Sequence, residues 1–561
     1  MRKSTQLWLF ILIFISLNTY AEDLKIIFIG DTQQRELFGY PTGFSSRQAQ
    51  DLSQVAIRSS EQELFAKYVQ KSVYDLEPDS TAVIHLGDLL DYSCESEWNS
   101  ATSVLTQEQL TKTFLTPGNH DGIFQGNNHY GFWVKAWLKL MKLSNQTYDP
   151  GLQGHFSAVC DSRLKVREKY ENPEFRKKDV FCSYLNSFKE AYISERADLK
   201  NACGIVEKAR HNILTNNDVS QLKSLSQDIV SHNESESQSL KKNITKWSLY
   251  SSFPESATAE WTKGFFTQKI VFPLSDINNL HLILLDTSDW AETPKYNDIK
   301  CNNHNHVNLK NSKCGVVSKK QQNYVNRYID SLSNNDIVIL SGHYPLKDLN
   351  YETEDWLNSL SSSKSKKVMY LSAHTHNGYV TLNADKSPKE INIDSLIDFP
   401  SSYWSLKTKN GQVCMQPNEI WEKLDCGRVL ESEFSSLKIA IENYNLNTKK
   451  WHSDAGEAQW RYRAKDSYRA LRAFAKSKDL GISCEEMKEG FFENSSTSMP
   501  KVAEIVTNCQ KQIDAVISNN KELQTYGACQ ALVGSAIFAN KNPNEPFSEK
   551  NSNYSRSCLV N

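Results

Sequence analysis

The chain has 561 residues, more than one hydrophobic core usually organises, so two or three structural units are expected. Its 64 Lys and Arg nearly cancel its 66 Asp and Glu, and neither sign forms a long block. That balance argues against electrostatic capture of nucleic acid or of an anionic membrane surface.

The N-terminus has the three parts of a secretory signal: Arg2 and Lys3, an apolar run from Leu7 to Leu17, and a small residue at Ala21, after which cleavage is expected. The alternative is a membrane anchor, but the run is shorter than the roughly 18 residues a spanning helix needs. No later segment reads as a span, so no transmembrane anchor is expected once the signal is removed. All 12 cysteines follow the signal, and an even count in an exported chain points to disulfides. Cys301 with Cys314 and Cys414 with Cys426 are expected as local pairs, with the connectivity left open by the sequence. No Cys-x-x-Cys occurs, which disfavours a zinc ribbon. The expected location is periplasmic or secreted.

From Leu24 to Gly118, apolar strands run into polar clusters: LKIIFI into Gly30-Asp31, TAVIHL into Gly87-Asp88, and TFLT into Pro117-Gly118-Asn119. Between the first two, Leu64, Phe65, Tyr68, Val69 and Val73 recur at helical spacing over Glu61 to Leu76. This alternation predicts a layered α/β domain with functional groups at strand ends. Residues 151–259 are polar and read as a mostly helical insertion. Strand patterning resumes with KIVFPL, LHLILL, DIVILSGHYP and KKVMYLSAHTH, and SSLKIAIENYNL at 436–447 reads as the last strand. Beyond residue 451, Gln459 to Lys476, Val502 to Ile517 and Glu522 to Phe538 have helical spacing and lie among the last four cysteines.

A pair of hard cations requires carboxylates, imidazoles and an amide oxygen converging from several strand ends. The chain offers such donors in five clusters: Gly30-Asp31-Thr32-Gln33, Gly87-Asp88-Leu89-Leu90-Asp91, Gly118-Asn119-His120-Asp121, Gly342-His343-Tyr344-Pro345 and Ala373-His374-Thr375-His376. Gly-Asp or Gly-His alone carries little information. The Asn-His-Asp and His-x-His elements in fixed order carry much more. No Gly-x-Ser-x-Gly elbow and no Gly-x-x-x-x-Gly-Lys-Ser/Thr loop occurs.

The ordered series, over about 30–125 and 265–450, resembles the calcineurin-like metallophosphoesterases. The resemblance implies a four-layer sandwich of two mixed β-sheets flanked by helices, here with the helical insertion and a C-terminal helical appendage. The expected organisation is 1–21 signal, 22–150 and 260–451 catalytic domain, 151–259 insertion and 452–561 helical cysteine-bearing region. The resemblance further implies a metal-dependent phosphoric ester hydrolase using two divalent ions, drawn from manganese, iron, zinc and magnesium. Asp31 and His376 would hold the first metal, Asn119, His343 and His374 the second, and Asp88 would bridge them. Hydrolysis would proceed by in-line attack of a metal-bridging hydroxide, with His120 contacting the phosphoryl group and Asp121 orienting its ring.

Two positions depart from the family pattern. Gln33 stands where a histidine is usual, as a weaker neutral ligand that favours manganese at the first site or as a solvent-facing residue. Ala373 replaces the glycine before His374. The substrate is expected to be a phosphomonoester or phosphodiester rather than nucleic acid. The alternatives are a phospholipid-directed phosphodiesterase and a non-catalytic binding protein on a decayed fold. Oligomeric state is not legible.

Overall fold

The computed structural model describes residues 24–34, 58–91, 95–121, 176–197, 200–201, 203–204, 229–230, 246–252, 265–274, 278–288, 315–361, 367–409, 412–451, 457–482, 484, 491–492, 494, 497, 499–539 and 557–559. The signal segment and the Cys301–Cys314 pair lie outside the described residues. Strand β1 (Lys25–Ile29) is followed by α1 (Ser60–Leu76), β2 (Ala82–His85), α2 (Glu95–Ser103), α3 (Gln107–Thr111) and β3 (Thr113–Leu115). A capping box starts α1: Ser59 Oγ accepts from the Gln62 amide, and Gln62 Oε1 accepts from the Ser59 amide, both at 3.2 Å. Then come α4 (Arg176–Phe188), α5 (Glu190–Glu195), β4 (Ile229–Val230), β5 (Lys246–Ser252), β6 (Phe265–Pro273) and β7 (Asn279–Leu284).

The next elements are α6 (Lys319–Asp330), β8 (Ile337–Ser341), α7 (Tyr351–Ser361), β9 (Lys367–Ser372), β10 (Tyr379–Leu382) and β11 (Pro388–Asn392). The chain continues through β12 (Ser402–Lys409), β13 (Gln412–Glu419), α8 (Ile420–Leu424), α9 (Cys426–Val429), α10 (Phe434–Trp451), α11 (Glu457–Ser477), α12 (Met499–Ile517), α13 (Lys521–Phe538) and β14 (Ser557–Leu559).

Two mixed sheets result. The first has the order β14-β13-β12-β1-β2-β3, with β1, β2 and β3 mutually parallel and β12 antiparallel to β1. The second has the order β10-β11-β9-β8-β7-β6-β5-β4, parallel through β7, β8, β9 and β11. Period-two alternation sorts the side chains of this second sheet. Leu280, Leu282, Ile339 and Met369 join the main core shared with the first sheet. Ile283, Val338, Leu340 and Val368 face a separate core with Val325, Ile329 and Leu357 of α6 and α7. On the far side of the first sheet, α1 packs against α13, with Leu64, Phe65, Tyr68 and Val69 buried. Helix, sheet, sheet, helix is the four-layer arrangement expected.

Two expectations need correction. The span 436–447 is helical rather than the last strand. Leu437 and Ile441, four apart, pack inward while Ile439 between them is 59% exposed, which is the period of a helix. The sheet instead closes with β12, β13 and β14. Within 151–259, read as mostly helical, the described residues include α4 and α5 and also two strands: Trp247 and Leu249 join the main core, and β5 pairs antiparallel with β6 and so extends the second sheet. The Cys414–Cys426 pair is also wrong: Cys426 on α9 bonds Cys529 on α13, and Cys414 stands opposite Cys558 in the β13–β14 register. Cys182–Cys203 and Cys484–Cys509 are further disulfides. Among the described residues no helix is long and apolar enough to cross a membrane.

Candidate metal centre

All five clusters leave the same edge of the sandwich, where β1, β2, β3, β8 and β9 end. Close backbone approach there explains the glycines. A Cβ on Gly118 would lie 2.1 Å from Asp88 Oδ1, and Gly87 has φ +92° with only 2.7 Å from its would-be Cβ to the Gly118 nitrogen. Ala373 is accommodated because it faces Gly30, and the left-handed residue of its turn is His374 rather than Ala373. Asp31, Gln33, Asp88, His374 and His376 all have φ between 40° and 71°. Such conformations cost about 1 to 3 kcal/mol each and persist where surrounding structure enforces them, commonly at functional sites.

His343 is the geometric centre. Its Nδ1 donates to the Leu86 carbonyl at 2.9 Å, which leaves Nε2 facing inward. Around that Nε2 stand Asn119 Oδ1 at 2.9 Å, His374 Nδ1 at 3.1 Å and Asp88 Oδ2 at 3.2 Å. Four electron-rich atoms so crowded need a positive charge among them. Without one, the chain turns to protonation: burial disfavours the His343 cation, yet Asp88 outweighs it and raises His343 to about 9. A cation at the same point replaces that proton, so this donor set fits a metal. The ligating atoms of Asp88, His343 and His374 all lie within 4.8 Å of one another. His374, driven well down by burial and by His343, is the neutral imidazole that ligation requires.

Asp31 and His376 form the adjoining part. His376 Nε2 is 3.5 Å from Asp31 Oδ1, a buried oxygen with no hydrogen-bond partner among the described residues. Asp31 Oδ2 accepts from the His374 amide at 3.0 Å. An oxygen this buried and unpaired fits a cation as its missing partner. The other ring nitrogen of His376, Nδ1, is 2.7 Å from Asp398 Oδ2, which orients the ring and its free nitrogen toward Asp31. Asp398 also receives the Arg58 guanidinium at 3.0 and 2.8 Å, and despite burial these partners hold its carboxyl below the usual range.

Gln33 lies at this edge, but its carbonyl oxygen accepts from Arg58 Nη2, and its Nε2 donates to Asp88 Oδ2 at 3.3 Å. Asp88 Oδ1 accepts from the His120 amide at 2.8 Å.

His120 stands beside this group. Its Nδ1 lies 2.7 Å from the Asp91 carbonyl oxygen and 3.3 Å from Asp91 Oδ1, and its Nε2 lies 3.9 Å from Asp88 Oδ2. Burial opposes its charged form, but Asp88 and Asp91 raise His120 to about 9. The residue behind the ring is therefore Asp91, not Asp121. Asp121 instead accepts from the amides of Leu90 at 2.8 Å and Gly118 at 3.0 Å, bracing the two loops, and burial pushes its carboxyl up to about 6. The spacing Gly-Asp-x-x-Asp was the available signal for Asp91. Nothing in the sequence near Arg58 or Asp398 marked either residue.

Residues 24–201 match the family model described as calcineurin-like phosphoesterase. No curated protein matches the chain. Among solved structures, a dimetal phosphatase from Danio rerio is 13% identical, with 71% of this chain and 96% of that one covered and a TM-score of 0.35. A purple acid phosphatase from yellow lupin (Lupinus luteus) seeds is 11% identical, with coverage of 72% and 52% and a TM-score of 0.30. The match over residues 24–201 is to a family of metal-dependent phosphoric ester hydrolases, and that family implies a dinuclear metal centre.

Proposed function

We propose that this phosphoric ester hydrolase acts outside the cytoplasm on a small phosphomonoester or phosphodiester. Two positions would hold its metals: Asp31 and His376 at the first, Asn119, His343 and His374 at the second, with Asp88 shared. The carrying observation is the convergence of Asp88, Asn119 and His374 on His343 Nε2, with His120 alongside. Bound there, divalent cations would supply Lewis acidity toward phosphoryl oxygens and lower the pKa of water.

The remaining chemistry belongs to the chain. His120, whose charged form the Asp91 carboxylate favours, presents Nε2 as the proton donor to a departing alkoxide. Asp91 fixes its ring through Nδ1. Asp121 keeps the Gly87 and Gly118 loops in register so that Asp88 and Asn119 stay beside His343. Residues 22–150 and 260–451 would make the catalytic domain, with 151–259 and 452–561 shaping substrate choice. The Arg2 to Ala21 signal pattern and the disulfides support export.

The test is a panel of chromogenic mono- and diesters with added manganese, run beside metal analysis of wild type and Asp88→Asn. Turnover that requires metal, and loss of metal in Asp88→Asn, are expected. Absence of turnover with every divalent ion would sink the proposal.

A further inference from the structure

Gln33 replaces the usual histidine at the first metal position, and an amide can serve there only through its oxygen. That oxygen accepts from Arg58 Nη2. Arg58 is 4% exposed and clamped on both oxygens of Asp398, so it has little room to withdraw. Guanidinium has donors and no acceptor, so the group facing it must be the amide oxygen, and the NH2 end must face Asp88. Reversing the amide would set donor against donor at Arg58 and two acceptors together at Asp88 Oδ2.

Resting on the two-position reading above, we infer that Gln33 is not a metal ligand but a positioning residue: locked by Arg58, it donates to Asp88 and orients this shared carboxylate. The first position is then left with Asp31, His376 and the shared Asp88, against four protein donors at the second. The two positions therefore differ in affinity, and the second fills first. Arg58 has two roles in this arrangement, since through Asp398 it also sets the ring of His376.

The experiment titrates the metal-free full chain with manganese alone by calorimetry, comparing wild type, Gln33→Ala and His376→Ala. Wild type should show a tight and a weaker class of site. His376→Ala should lose the weaker class alone. Gln33→Ala should weaken both classes by similar factors, within about threefold of each other, because Asp88 serves both and losing an outer-shell partner costs roughly ten- to a hundredfold.

Loss confined to the weaker class in Gln33→Ala, or no change in either class, would overturn the inference. A single class at every manganese concentration would overturn the two-position reading and this inference with it. Should Gln33→Ala fail to fold, crystals of manganese-loaded wild type decide the matter. Gln33 Oε1 on Arg58 supports the inference, and Oε1 on manganese overturns it.

Discussion

His120 shows how much chemistry one side chain draws from its immediate surroundings. A buried imidazole is ordinarily neutral, as is His85, which burial lowers to about 3, whereas the Asp91 carboxylate favours the charged form of His120. Replacing it by alanine removes no predicted ligand, so His120→Ala should retain its metal and lose roughly 10²- to 10⁴-fold in kcat, measured by elemental analysis and steady-state kinetics. Asp91→Asn should also retain metal. Removing its negative charge lowers the His120 pKa, so the alkaline limb of the pH–rate profile should move to lower pH and the variant should lose more rate at pH 9 than at pH 6. An unmoved limb would dissociate Asp91 from His120. Among the described residues the Asp121 carboxylate accepts from backbone amides and does not reach the His120 ring, so Asp121→Asn should leave that limb in place.

The elements do two separate jobs. Parallel strands aim their C-terminal ends at one edge, and the helices that bury their outer faces carry stability costs unconnected with the site. At the contact of α1 with α11, Glu61 is raised to about 7 by burial and by the charge of Asp466, and Asp466 itself is raised to about 6 by burial. Both folded-state values exceed the unfolded ones. Between pH 4 and 7 the unfolded chain therefore gives up these protons first, and stability falls as pH rises through that window. Above it the loss is complete. Glu61→Gln should flatten this slope and raise the melting temperature at pH 8 relative to wild type, with little change at pH 4, as thermal unfolding across pH will test. A variant no more stable at pH 8 would refute the linkage.

In the molecule as a whole, the C-terminal helices pack against α1 as the outer layer over the first sheet. Helix α13 lies along α1, Lys67 and Tyr68 of α1 reach Asp514 of α12, and Cys529 ties α13 to Cys426. The disulfide closes a sequence separation of 103 residues. Its removal in Cys529→Ala should cost about 2 to 5 kcal/mol in denaturant unfolding while metal content stays unchanged. Loss of metal along with stability would instead couple this layer to the site. The sequence by itself determined the central strands, helix α1, three of the C-terminal helices and the donors in the five clusters. Those features are local: apolar periodicity reports which face is buried, and each donor follows directly on its strand. It also marked Gln33 as the departure that matters. Tertiary structure alone decided that Arg58, 340 residues from Asp398, closes on Gln33 and that Cys426 pairs with Cys529. It likewise decided that Asp91 rather than Asp121 stands behind His120 and that 436–447 coils against α13. Each of these depends on which surfaces meet after the sheets have stacked, and no spacing along the chain encodes that meeting.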